Sequence, residues 1–168
     1  SIVGQQISNK ALATVWERIT TLVGKIDAGH LLATGIDQLQ SCGISFKKAE
    51  NIIDFSNKVS SGEFDLNAIG SMSDEQAIKV LSALKGVGVW TAEMLLLFCL
   101  QRPDILSFGD FAIQRGLRMV YHHRRIDRRL FEKYRRRFSP YGSVASLYLW
   151  AVSSGAIPEM KDYAPKKK

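Results

Sequence analysis

Apolar residues recur near the start of the chain at Ile7, Ala11, Leu12, Val15, Ile19, Leu22 and Val23. That spacing follows one face of a helix and predicts an amphipathic α-helix ending near Gly24. Short helical pieces are expected at 30–33 and 36–41. The stretch "SFKKAENIIDFSNKVSSG" sets Ala49, Ile52, Ile53, Phe55, Ser56 and Val59 on one stripe and stops at Gly62. Ser73 with Gln76 makes a capping box before a helix whose Ala77, Val80, Leu81 and Leu84 face the core. Two glycines, Gly86 and Gly88, then precede a nearly all-apolar helix from Trp90 that reads as fully buried.

A loop holding Pro103 and Gly109 leads to a helix at or just after Asp110. A basic helix is expected over 127–138, followed by the turn "SPYG" and a last apolar helix, "SVASLYLWAVSSG". The tail "KDYAPKKK" is expected to be loose. No β-alternation, hairpin dipeptide or internal repeat appears. The pattern predicts an all-α fold of eight to ten short helices.

The chain has 168 residues, 46% hydrophobic and 23% charged, enough for one domain or two small lobes. No apolar run approaches ~18 residues, so no membrane span is expected. No signal peptide is visible, and Ser1 falls in the middle of what reads as a helix approach. A fragment with elements missing upstream is therefore expected. Cys42 and Cys99 are too few for a four-thiolate cluster and are expected to be buried free thiols. His30, His122 and His123 lack ligand spacing, which leaves no metal site of the usual kind.

Charge changes the picture more. The net charge is +7, and "YHHRRIDRRLFEKYRRRF" carries eight Lys/Arg against Asp127 and Glu132. Seven of those eight are arginine, the better fork for phosphate. A solvated helix face and a nucleic-acid contact through Arg124 and Arg125 both fit this run.

The glycines admit two readings as well. Gly86 and Gly88 flanking Val87 suit a plain αα-hairpin turn, because glycine takes the required φ at low cost. The same bare backbone also lets the N–H groups of Gly86, Gly88 and Val89 face a phosphate at the positive end of a helix. Carbonyls near Leu84 and Val87 would then turn outward, where a monovalent cation could bridge to the phosphate. Asp110, at a helix start, is either a cap or a reacting carboxylate.

"LKGVGVWTAEMLLLF" followed by "SFGDFAIQRGL" resembles the signature of the helix-hairpin-helix, Gly/Pro-rich loop, Asp superfamily of DNA glycosylases. "SIVGQQIS" and "FSPYGSVASLYLWAV" resemble two further blocks of that family, in the same order. The similarity is greatest to the 3-methyladenine DNA glycosylase II subgroup. It implies two helical lobes with a cleft between them, 35–120 carrying the hairpin and 1–34 joining 121–168.

What the resemblance implies can be written residue by residue. Asp110 stands beside the scissile N-glycosidic bond and stabilises a sugar with oxocarbenium character. Trp90 occupies the position where bifunctional relatives carry a lysine nucleophile, so water is the nucleophile and no AP-lyase step is expected. Trp90, Tyr141 and Met94 would wall a pocket for a cationic alkylated purine, although core packing serves Met94 equally well. Gln6, supported by Gln5, would fill the hole left by the flipped base. Lys85 and Thr91 join the hairpin glycines and Val89 in the DNA contact. The implied partner is damaged double-stranded DNA, bound by a monomer without membrane attachment, in the bacterial nucleoid or the eukaryotic nucleus. No cofactor is required, a monovalent cation at the Leu84 and Val87 carbonyls being optional, and no iron–sulfur cluster is expected.

Two alternatives stay open: a glycosylase for 8-oxoguanine or mismatched adenine, and a helix-hairpin-helix binding module without chemistry.

Overall fold

The computed structural model describes residues 2–165. Its elements are α1 (Asn9–Val23), α2 (Ala28–Ser41), α3 (Phe46–Ser60), a 3-10 turn (Asn67–Ser71), α4 (Asp74–Ser82), α5 (Val89–Phe98), α6 (Phe111–Tyr121), α7 (Arg128–Phe138) and α8 (Gly142–Ser153). No strand occurs among the described residues, as the pattern predicts. The chain forms two compact units, Ser1–Thr91 and Ala92–Lys168. Within the first unit α1 packs on α2 and shares its core.

In the first unit, Val15, Ile19 and Val23 of α1 meet Leu39 of α2 and Ala49 of α3 in one apolar cluster. Side-chain caps start the helices: Ser8 accepts from Ala11 N, Asp27 from His30 N and Ser45 from Lys48 N. Each satisfies an amide that the first helical turn leaves unbonded. Both arms of the Ser73–Gln76 capping box form, at 3.2 and 3.0 Å. Gly35, at φ 76°, breaks α2 into the two pieces that the sequence suggests. The 3-10 turn was not expected. Its start is set by Asp65, whose carboxylate accepts from Asn67 N at 2.8 Å.

In the second unit, Leu106, Ile113, Leu117, Phe131 and Leu149 form the core. α6 and α8 cross closely at Gly116, where a Cβ would lie 2.5 Å from the Leu149 carbonyl oxygen. α7 buries Phe131 and Tyr134 and turns most of its basic residues outward. The loop before α6 is stitched to α8. Ser143 donates its N–H to Pro103 O, and Ser146 donates its hydroxyl to Ile105 O at 2.8 Å.

Three expectations are corrected. α5 is not fully buried: Ala92, Leu96 and Leu97 are covered, while Val89, Trp90 and Phe98 are exposed. A helix that is apolar on every side presents more surface than this core covers. Cys42 is buried, but Cys99 lies just past the end of α5 and is exposed. The tail is anchored as far as Asp162, which accepts two hydrogen bonds from Arg118 at 2.7 and 2.6 Å. The lysines at 166–168 lie outside the described residues.

Candidate active site and nucleic-acid interface

Asp110 is 7% exposed and caps α6, accepting from Ala112 N at 2.8 Å and Ile113 N at 2.9 Å through one carboxylate oxygen. It is therefore the cap that its position suggests, and the two amides fix where the carboxyl stands. Phe111 follows it at the surface and is 87% exposed. Gln114 steadies the approach by donating to Phe108 O at 2.6 Å.

A second acid that the sequence reading did not single out lies close by. Glu93 of α5 accepts a hydrogen bond from the hydroxyl of Ser107, a fully buried residue of the loop leading to Asp110. Burial pushes the Glu93 carboxyl above its ordinary range. The Ser107 hydrogen bond and the Arg128 and Arg135 charges oppose that shift, and the Asp110 charge adds to it. The signal was present in "VWTAEMLLLF", where Glu93 is the one charged residue among ten.

Tyr141 precedes α8 and is 66% exposed. Asp104 holds this corner, accepting from Ser139 Oγ at 2.6 Å and Gly142 N at 3.0 Å. Tyr141 lines a largely apolar groove of about 400 Å³ with Tyr121, Phe138, Val144 and Tyr148, and Asp110 is not among its lining residues. Trp90 belongs to the first unit, is 48% exposed, and opens α5 with its indole reachable from solvent. Met94, one turn further along α5, is half-buried.

The hairpin and the N-terminal block come together in the first unit. Gln5 donates its side-chain amide to Gly86 O at 2.7 Å, and Lys48 donates to the carbonyls of Val3 and Gln5 at 3.0 and 2.6 Å. Gln6 is exposed and holds a left-handed backbone at φ 57°. Gly86, at φ 79°, lies so close to α3 that a Cβ would stand 2.3 Å from Asn51 Nδ2. Gly88 has open space where a Cβ would be, Val89 is exposed, and Thr91 is buried.

The Leu84 carbonyl accepts from Val87 N at 3.1 Å. The Lys85 ammonium pairs with Asp54 of α3 at 2.6 Å, and its side chain is two-thirds exposed. Arg124 and Arg125 lie exposed between α6 and α7. Among the described residues no cluster of His, Cys, Asp or Glu could hold a metal ion, and no helix is long and apolar enough to cross a membrane.

A helical fold with a glycine hairpin, followed by a buried carboxylate at a helix start, defines a class found among DNA repair enzymes. The chain belongs to the HhH-GPD superfamily of base excision DNA repair proteins, which matches residues 1–140. It is a DNA glycosylase of that repair route.

DNA-3-methyladenine glycosylase 1 of Schizosaccharomyces pombe is 27% identical over 172 residues, spanning 99% of this chain and 75% of that protein. The crystal structure of a DNA-3-methyladenine glycosidase from Bacillus halodurans superposes with a TM-score of 0.85 at 35% identity, over 94% of this chain and 74% of that one. The 3-methyladenine DNA glycosylase of S. pombe, solved in complex with abasic DNA, gives 0.76 at 25% identity, over 91% and 77%.

Proposed function

We propose that this protein hydrolyses the N-glycosidic bond of alkylated purines, of the 3-methyladenine and 7-methylguanine type, flipped out of duplex DNA. The observation that carries the proposal is the buried Asp110 carboxyl, pinned by two main-chain amides at the start of α6. A carboxylate fixed in that way meets the positive charge of the sugar as C1′–N breaks. The bonding electrons leave with the base, which neutralises its charge, so a cationic alkylated purine departs without a general acid. Water adds to C1′, and Asp110 orients it and takes up its proton.

With Trp90 in the lysine position, no amine attacks C1′ and the backbone stays uncut. The indole face of Trp90 suits a cationic base. Tyr141, beside the apolar groove of the second unit, and Met94 are further substrate contacts in this proposal. Gln6 fills the vacated stack while Gln5 ties it to the hairpin. The exposed backbone at Gly88 and Val89, with Lys85, Arg124 and Arg125, contacts DNA phosphates. The hairpin carbonyls of Leu84 and Val87 are the neutral oxygen donors an alkali cation takes, and such an ion is part of the proposal. The protein acts as a monomer.

The test incubates the protein with methylated duplex DNA and, separately, with an 8-oxoguanine duplex. Release of 3-methyladenine or 7-methylguanine without strand cleavage is the expected result. Release of 8-oxoguanine with nicking would replace the proposal by the oxidised-base alternative, and binding without release would replace it by a non-catalytic module.

A further inference from the structure

Glu93 is a carboxyl group inside an apolar helix, and its surroundings are specific. The Ser107 hydroxyl donates to it. Ser107 is fully buried and sits three residues before Asp110 in the same loop. The charged groups whose fields reach Glu93 are Asp110 at the start of α6 and Arg128 and Arg135 on α7. Arg128 is itself shared, pairing with Glu132 at 3.1 Å and lying 5.0 Å from the centre of the Phe108 ring. Within the second unit a hydrogen bond thus ties Glu93 to the loop that ends in Asp110.

We propose that Glu93 is a second carboxyl of the reaction centre. It is a positioning residue that holds the Ser107–Asp110 loop through the Ser107 hydroxyl, and its ionised form adds negative field where the sugar cation develops. The inference rests on the reading of Asp110 as the group beside the scissile bond. The alternative is a plain structural role, in which Glu93 merely satisfies the buried Ser107 hydroxyl.

The two roles differ in the pH dependence of base release, and stability serves as the control. Burial raises the Glu93 carboxyl above its ordinary range in the folded protein. A group raised on folding contributes stability below its unfolded value and loses it as pH rises through the folded one. At neutral pH the ionised Glu93 therefore costs the fold something. Glu93→Gln removes the charge and keeps an oxygen for Ser107, so its melting temperature at neutral pH should not fall.

The experiment measures single-turnover release of 7-methylguanine from methylated duplex DNA across the acid and neutral range. It compares the wild type, Glu93→Gln and Ser107→Ala, each checked by thermal melting. The wild type should lose activity as pH falls through the Glu93 titration. Ser107→Ala removes a donor that favours the ionised form, so its acid limb should move to higher pH. Glu93→Gln should move that limb to lower pH and reduce the plateau rate by about tenfold, with stability kept.

Superimposable acid limbs in all three proteins would overturn the inference and leave the glycosylase reading standing. A full-rate Glu93→Gln, or one inactive only in proportion to lost stability, would also overturn it. If the wild type releases no methylated base, the glycosylase reading fails and the inference falls with it.

Discussion

On the proposed reading Asp110 is both a helix cap and the carboxylate beside the scissile bond, and two substitutions separate the roles. Its carboxylate oxygen accepts from Ala112 N and Ile113 N at 2.8 and 2.9 Å. Asparagine presents an amide oxygen at the same reach, and asparagine is as good an N-cap as aspartate. Asp110→Asn therefore keeps both bonds, and the lost attraction between charge and helix dipole is worth about 0.3–1 kcal/mol. Asp110→Ala loses the cap itself, about 1 kcal/mol. In a chain of this size that lowers the melting temperature by about 2–4 °C.

The chemistry should divide differently. Both variants lack the negative charge that the proposal sets against the developing sugar cation. Loss of a preorganised electrostatic group costs about 2.7–4 kcal/mol of transition-state stabilisation, or about 100- to 1,000-fold in rate. Base release should thus fall about equally in the two variants while only the alanine variant melts early. The assay is single-turnover release of 7-methylguanine, with fluorescence anisotropy on the same duplex to show that binding persists. An Asp110→Asn protein that turns over within about threefold of wild type would reduce Asp110 to a helix cap and refute the reasoning.

Three further outcomes are expected. Gly116→Ala places a methyl group against the Leu149 carbonyl, and such overpacking should cost about 1–3 kcal/mol in urea denaturation; an unchanged midpoint would deny the α6–α8 contact. Arg124→Ala with Arg125→Ala removes two exposed cations, and if both touch phosphate the log–log salt slope of DNA binding should become shallower by about 1.8. The Arg118 hydrogen bonds hold the Asp162 carboxyl below its ordinary value. The stability this gives is present above the unfolded carboxylate range and lost as pH falls through the folded value. Asp162→Asn should accordingly melt earlier than wild type at neutral pH and converge with it in acid, as followed by circular dichroism.

The parts of the molecule that were legible in the sequence are those decided within a few residues. The Ser73–Gln76 box, the start of α6 at Asp110 and the break at Gly35 all follow from local hydrogen bonding or glycine φ. The misses have partners far along the chain, or depend on how much surface the core covers. Lys85 finds Asp54 across thirty-one positions, so a lysine on a phosphate-type hairpin gives no hint of its pairing. The ends of α5 look like the rest of that apolar run, and only packing shows that Trp90 and Phe98 stay exposed. Glu93 was visible as an isolated charge, but its meaning required Ser107, fourteen residues on, to fold back against it.

The manner in which Asp110 is held bears on why this loop suits a carboxylate that must act on a cation. Main-chain amides at a helix start carry fractions of a charge and do not move. At Asp110 the Ala112 and Ile113 amides thus help set the position of the carboxyl. The arginines of α7 are placed where their charge acts on Glu93, the acid one step further back, favouring its ionised form against burial. Helix-start amides act on Asp110 and the α7 arginines act on Glu93, and the loop from Ser107 to Asp110 is short enough to couple the two acids.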